Sequence, residues 1–318
     1  MIMKKVQLII LILFIGIFSE NHIYAATGGW NTKGNVSMFL NEMAISNWAK
    51  GGENQIAMTG LFSYTFDYHN VDTSIVWDNS FTTGYGFQTS DQYAFRKSED
   101  KIDFTSKYGL RAFKDYYYSF AASFQTQYWN GYKYPNDSTI VSKFLAPAYL
   151  IIAAGFDYKP NPKLSISFYP LSGRLILVKA QELADIGAYG VKKAVLDTAG
   201  NIITPGETSR FDFGAAANLT FTFSPMENID ISTKLDLFNN YTDPKVSNRK
   251  NIDFNSETTV NMKINSYISA NIYLNMIYDQ DIPIPIFKTI DGVKTQVGTG
   301  PRLQIKQTLG IGFSYNFH

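Results

Sequence analysis

The feature that most constrains this chain is a two-residue alternation of apolar and polar side chains, clearest near its end. Leu309, Ile311, Phe313, Tyr315 and Phe317 share one face of an extended segment; Thr308, Gly310, Gly312, Ser314 and Asn316 share the other. Successive side chains on a strand point to opposite faces, so such a segment separates two environments. The segment from Phe211 to Ser224 repeats the pattern, with Phe211, Phe213, Ala215, Ala217, Leu219, Phe221 and Phe223 set against Asp212, Gly214, Asn218, Thr220 and Thr222. A third copy runs from Ile56 to Tyr68. Each is long for a globular strand and of the length a membrane-crossing strand needs.

Continuing the count gives about twelve strands, an even number as bacterial barrels require. The expected spans are 34–48, 54–68, 72–87, 98–113, 115–129, 142–158, 163–177, 209–224, 227–241, 250–264, 266–279 and 302–317. A strand of about 13 residues tilted by ~40° rises roughly 33 Å, enough for an apolar band of ~25 Å. The intervening segments alternate between short turns, such as Lys114–Asp115 and Ser224–Pro225–Met226, and longer loops, notably Val178 to Thr208 and Gln280 to Pro301. Large rings gather near the strand ends, and smaller residues such as Ala122, Ala148 and Ala215 lie between them. The reading is an all-β, antiparallel transmembrane β-barrel with short periplasmic turns and long outer loops. A soluble sandwich has no reason for this rhythm.

The beginning of the chain fits export. Lys4 and Lys5 precede an apolar run from Val6 to Phe18, and Ala25 and Ala26 offer small residues for cleavage. Residues 1–25 are read as a signal peptide and 26–318 as the barrel. Removing Lys4, Lys5 and Glu20 with that leader takes the formal charge from +1 to zero, which offers nothing to nucleic acid. With no cysteine in the chain, disulfides, thiolate metal sites, a catalytic thiol and a lipidated cysteine are all excluded. The expected setting is the outer membrane, with its lipid, lipopolysaccharide and barrel-assembly machinery as partners.

Chemistry on histidine is expected to be absent. Of three histidines, His22 leaves with the leader, His69 falls in a turn and His318 is terminal, so none is placed for general base work at the outer rim. Carboxylate pairs such as Glu99 with Asp103 and Asp230 with Asp236 read as solvated charges of the lumen. No catalytic residue, cofactor or metal site is expected, and the acids of Asp279–Gln280–Asp281 match no loop motif for a divalent ion.

The lumen face is expected to carry both signs: Glu99, Lys101, Asp103, Lys107 and Arg111 in one strand, with Asp212, Lys234, Asp236, Asp253, Glu257, Lys263 and Lys306 elsewhere. These either filter a polar solute or pair across the lumen and partly close it. One stretch breaks the alternation. Leu145, Tyr149, Ile151 and Ala153 make an apolar lumen wall, and Leu171, Leu175 and Leu177 are expected to continue it in the next strand. This wall either packs on an inserted loop around Ala180 to Ile186, which has weak helical character, or offers a path to a hydrophobic molecule. Trp48 and Trp129 are expected at the outer rim as interfacial anchors.

The segment Asn47-Trp48-Ala49-Lys50-Gly51-Gly52-Glu53-Asn54 resembles the N-W-x-x-G-G-x-N stretch of an uncharacterised outer-membrane family of the Bacteroidota. Arg96-Lys97-Ser98-Glu99-Asp100, Gln125-Thr126-Gln127, Ala146-Pro147-Ala148-Tyr149 and Gly187-Ala188-Tyr189-Gly190 are similar to its other recurring blocks, in the same order. The resemblance implies an outer-membrane setting and supplies no activity. His318 follows Phe317, whereas barrels of this kind commonly finish on an aromatic. Three functions are left open: a narrow channel or passive transporter for small solutes, a non-conducting structural or receptor barrel that binds a partner through its loops, and, least favoured, an enzyme.

Overall fold

The computed structural model describes residues 28–43, 54–280, 282, 284–290 and 292–317. Twelve long strands dominate it: β1 (Gly29–Met43), β2 (Gln55–His69), β3 (Ile75–Ser90), β4 (Arg96–Phe113), β5 (Tyr116–Thr126), β6 (Ala148–Asn161), β7 (Leu164–Leu177), β8 (Ser209–Met226), β9 (Ile229–Asn240), β10 (Asp253–Lys263), β11 (Ile268–Tyr278) and β12 (Gln304–Phe317). Each pairs antiparallel with its neighbours in sequence, and β1 closes the ring on β12, from Gly34 opposite Phe317 to Leu40 opposite Ile311. Closure removes both sheet edges, so every strand has a partner on each side for its backbone groups. Among the described residues no helix is long and apolar enough to cross a membrane.

The period-two pattern sets which way each side chain points. Phe211, Ile305, Leu309 and Ile311 are exposed on the outside, whereas Asp212 and Asn218 turn into the ring. The short turns all fall at one end: 70–74, 114–115, 162–163, 227–228 and 264–267. At the other end lie the loops, including 127–147, 178–208, 241–252 and 279–303. Aromatic groups mark both ends of the outer face. At the turn end Phe113 stacks on Tyr116 and Tyr116 on Tyr158, with centroids 4.7 Å apart in each case, and Trp30 meets Tyr68 and Trp77 at 5.5 and 5.6 Å. At the loop end Phe87 meets Phe95 at 5.0 Å and Phe213 meets Tyr241 at 6.3 Å.

Three expectations need correction. Residues 142–147 do not belong to a barrel strand. Ile140–Ser142 instead forms a small hairpin with Gly131–Tyr132, and Leu145, at φ 55°, sits in the left-handed region outside the sheet. The Gln127 side chain donates to the carbonyls of Lys143 (3.0 Å) and Ala146 (3.2 Å), and Pro147 has no N–H for a ladder. Leu145 is therefore not part of the lumen wall.

The second correction concerns β7. Ser165, Ser167 and Tyr169 point inward, but so do Arg174 and Ile176, five and seven positions after Tyr169. The parity switches at Pro170 and Leu171. In the ladder with β6, Ala154 pairs with Leu171 and the next registered pair is Phe156 with Phe168. With β8 the register jumps between Gly214–Ser172 and Ala216–Tyr169. Pro170 cannot donate, so the chain takes up an extra residue as a β-bulge and every later side chain changes face. Leu171 is accordingly 58% exposed on the outer surface, with Leu175 and Leu177 on the same outer parity. Gly155 faces this bulge, where an added Cβ would lie 2.1 Å from the Phe168 carbonyl oxygen.

The third correction is smaller. His69 is the last residue of β2 and not part of a turn. Its Nε2 lies 3.3 Å from Asp78 Oδ1.

Candidate functional site: the lumen of the barrel

The interior is built in three levels. Nearest the short turns, Asp157 of β6 is fully buried, 3.0 Å from the Lys107 ammonium of β4 and 4.0 Å from that of Lys159. Tyr169 donates its hydroxyl to Asp157 at 3.3 Å, and Lys159 also pairs with Asp78. Asp78 continues the chain of contacts to His69. Burial of one carboxylate here is tolerable because two ammonium groups and a phenol surround it. Arg111 lies at the exposed rim of this end. It donates to the Asp72 carbonyl at 2.8 Å, bonds Thr73, and sits 5.7 Å from the Tyr117 ring centroid. Thus Arg111 braces a turn and has no place on the inner wall of the lumen.

At mid-height the charges reach across the ring. Lys101 of β4 lies 3.1 Å from Glu257 of β10, and β4 and β10 stand six places apart in a ring of twelve. The pair therefore crosses the lumen from one wall to the opposite one. Asp103 is 3.6 Å from the same ammonium, Lys234 is 3.5 Å from Asp236, and Lys306 pairs with Glu99. Each carboxylate of the two candidate acid pairs has a cationic partner, including Asp230 with Lys263 at 3.0 Å.

Beside these bridges lies a cavity of ≈ 390 Å³ inside the ring. Its lining mixes the charged Asp103, Lys234, Asp236 and Glu257 with Tyr149, Ile151, Ala153 and Phe238. Ala153, Tyr169, Ala216 and Phe238 form a packed cluster on four successive strands, with Ala121 against it. Toward the loops the Arg174 guanidinium lies 4.1 Å from the Phe238 ring centroid. It is fixed there by Asp212 at 3.1 Å and Asp253 at 3.3 Å, and Arg210 joins Asp212 at 2.7 Å.

The loop 178–208 folds over this end. Its short helix α1 (Gln181–Asp185) buries Leu183 and Ala184, which join Ala146, Ile176, Val178, Ala180 and Val191 in a cluster that also contacts Tyr149. Of the stretch from Ala180 to Ile186, Ala180, Leu183 and Ala184 thus pack beside Tyr149, while Ile186 is exposed. Two polar ties hold it from outside. Tyr189 donates its hydroxyl to the Val141 carbonyl at 2.6 Å, and burial pushes its pKa up to about 12. Lys143 bonds Glu182 and holds that carboxyl below its ordinary range.

Glu99, Lys101, Asp103, Lys107, Asp212, Lys234, Asp236, Glu257 and Lys306 all fall within these networks, as do Tyr149 and Ile151. Trp129 is at the loop-end rim, 63% exposed, with its backbone N–H donating to Asp100 at 2.9 Å. Trp48 lies outside the described residues. Sequence reasoning missed Asp157, Lys159, Asp78, Arg174, Arg210, Tyr169 and Phe238. For Asp157 and Lys159 the signal was present, because both sit on the inward parity of β6. Arg174 was hidden by the bulge. Among the described residues no group of histidines and acids could hold a metal ion.

Residues 40–132 match the model of a family described as Protein of unknown function (DUF3078), under half of the chain. No curated protein matches. In solved structures the chain is similar to an outer membrane channel from Pseudomonas putida F1, at 12% identity and TM-score 0.38 over 95% of this chain and 100% of that one. It is also similar to the translocator domain of the autotransporter NalP from Neisseria meningitidis, at 9% identity and TM-score 0.36 over 99% and 95% of the two chains. A third is the outer membrane channel DcaP of Acinetobacter baumannii, at 9% identity and TM-score 0.32 over 94% and 100%. At such scores these similarities carry no information about a solute.

Proposed function

We propose that this chain is an outer-membrane barrel whose lumen is a narrow passage for small solutes, restricted at mid-height by the Lys101–Glu257 bridge. The observation that carries this reading is the cavity of ≈ 390 Å³ within the ring, of the size that small-molecule sites use, next to that bridge. The outer face supports the membrane setting: exposed Phe120, Ile152, Leu171, Ile305 and Leu309 lie between aromatic groups at the two ends. Exposed apolar side chains around a whole ring would be an aggregation liability in water and are matched to hydrocarbon. Lipid and lipopolysaccharide would contact this face, and the assembly machinery would insert it. No cofactor or catalytic role enters the proposal.

Reconstitution into planar bilayers tests it. Small steps of conductance are expected from the wild type and larger ones from Lys101→Gln/Glu257→Gln. Absence of steps from both proteins, each with heat-modifiable migration on a gel, would reject the passage. It would favour the second reading, a non-conducting barrel that meets a partner through its loops. The specific observation behind that alternative is the packed lid 178–208, whose buried Leu183 and Ala184 give it a fixed shape over the lumen.

A further inference from the structure

The cavity has a lining of two unlike chemistries, charged and apolar, and together they select among small solutes. Resting on the reading that solutes enter the lumen, we infer that the favoured ones are organic cations with an apolar body, an ammonium group on an aromatic or hydrocarbon frame. The charged part of the lining supplies the first half of the argument. Lys234 lines the cavity with Asp236, 3.5 Å away, and with Asp103 and Glu257, while Lys101 is shared between Asp103 and Glu257 at 3.6 and 3.1 Å. Among the described residues that line the cavity, Asp103, Asp236, Asp253, Glu257 and Asp279 stand with Lys107, Arg174 and Lys234, five acids to three bases. Counting Lys101, which reaches Glu257 from β4, still leaves the acids in excess.

The apolar part of the lining supplies the second half. Tyr149, Ile151, Ala153 and Phe238 present rings and methyl groups to the same space. A cation in contact with Phe238 is already a feature of this lumen, since Arg174 lies over that ring. A solute spanning the cavity can place its ammonium against Glu257 and Asp103 while its apolar frame covers Ile151 and Ala153. An anion of the same shape meets the acid excess, and a bare small cation leaves the apolar lining wet. Occupancy also acts on the bridge. An incoming ammonium that takes Glu257 releases Lys101 from the opposite wall, so the solute itself loosens the constriction.

Isothermal titration of the full, folded barrel in a non-ionic detergent, with empty micelles as blank, tests this without any need for conduction. The probes are benzyltrimethylammonium, benzenesulfonate and tetramethylammonium. Benzyltrimethylammonium is expected to bind about tenfold more tightly than either of the others. Glu257→Gln, which keeps the shape, is expected to weaken it by about tenfold. Asp236→Asn, away from the bridge, is a second variant should the first misfold, with the same direction expected. Benzenesulfonate binding as tightly as the cation, no measurable cation binding, or affinity unchanged in both variants would overturn the inference. Cation binding by a barrel that shows no conductance would keep the inference and reject the passage, and conductance without cation preference would do the reverse.

Discussion

Lys101 Nζ and Glu257 Oε1 lie 3.1 Å apart although their strands are on opposite sides of the ring. A side-chain bridge across the lumen ties two walls that no backbone hydrogen bond connects. Its two side chains are each 21% exposed, so lumen water screens them and the contact is worth less than a fully buried pair. Lys101→Gln or Glu257→Gln alone is expected to cost about 1–2 kcal/mol, because each leaves a charge facing its former partner's wall. The double variant is expected to recover part of that loss. Urea unfolding in lipid vesicles measures both, and a double variant as unstable as the sum of the singles would show that the bridge carries no coupling.

The bulge in β7 makes a sharp prediction about faces. Leu171→Lys places a charge on the outer surface near mid-strand and is expected to destabilise the barrel by roughly 2–4 kcal/mol. Ile151→Lys, in the lumen, is expected to cost much less. Had β7 kept one parity throughout, the leucine would face the lumen and the two variants would behave alike. The same vesicle unfolding experiment compares them.

Gly155 tests the bulge from its other side. A methyl group there would meet the Phe168 carbonyl and the Tyr169 Cα at 2.1 and 2.7 Å, both backbone atoms that cannot rotate away. Gly155→Ala is expected to cost about 1–3 kcal/mol by overpacking. Gly298→Ala, where nothing lies within 4 Å, is the matched control and is expected to leave stability unchanged.

The lid responds to acid in one direction. Glu182 sits in the loop, and the hydrogen bond from Lys143 lowers its pKa. A carboxyl depressed in the folded state contributes at pH values above its unfolded value and loses that contribution as pH falls through the folded one. The lid should therefore be tied down at neutral pH and loosen only below the ordinary carboxylate range, about pH 4. The protection factor at Leu183 and Ala184, the exchange rate relative to that of a free amide at the same pH, is expected to fall there. Glu182→Gln should keep one protection factor across the same range; a retained acid step in this variant would assign the effect to another group.

How much of this was legible follows from what period two encodes. The alternation reports which of two faces a residue takes, so all twelve strands and most lumen charges could be read. It reports nothing about which strand lies opposite, so Lys101 and Glu257 were both placed inward without being joined. It also assumes an unbroken count. Pro170 inserts one residue, and the error propagated to Leu171, Leu175, Leu177 and Arg174 until the strand ended. The run through Leu145 failed for a different reason. Apolar residues on both faces fit a buried loop as well as a strand, and here Gln127 captures the carbonyls a strand would have used.

The seam between β1 and β12 joins the first and last of the twelve strands in the chain, so without the fourteen residues of β12 the ring cannot close. A chain ending before Gln304 would leave β1 and β11 as open edges, with unpaired backbone offered to any neighbour. Contacts between adjoining strands, such as Arg174 with Asp212, need no closure, and the loss falls on the enclosure itself.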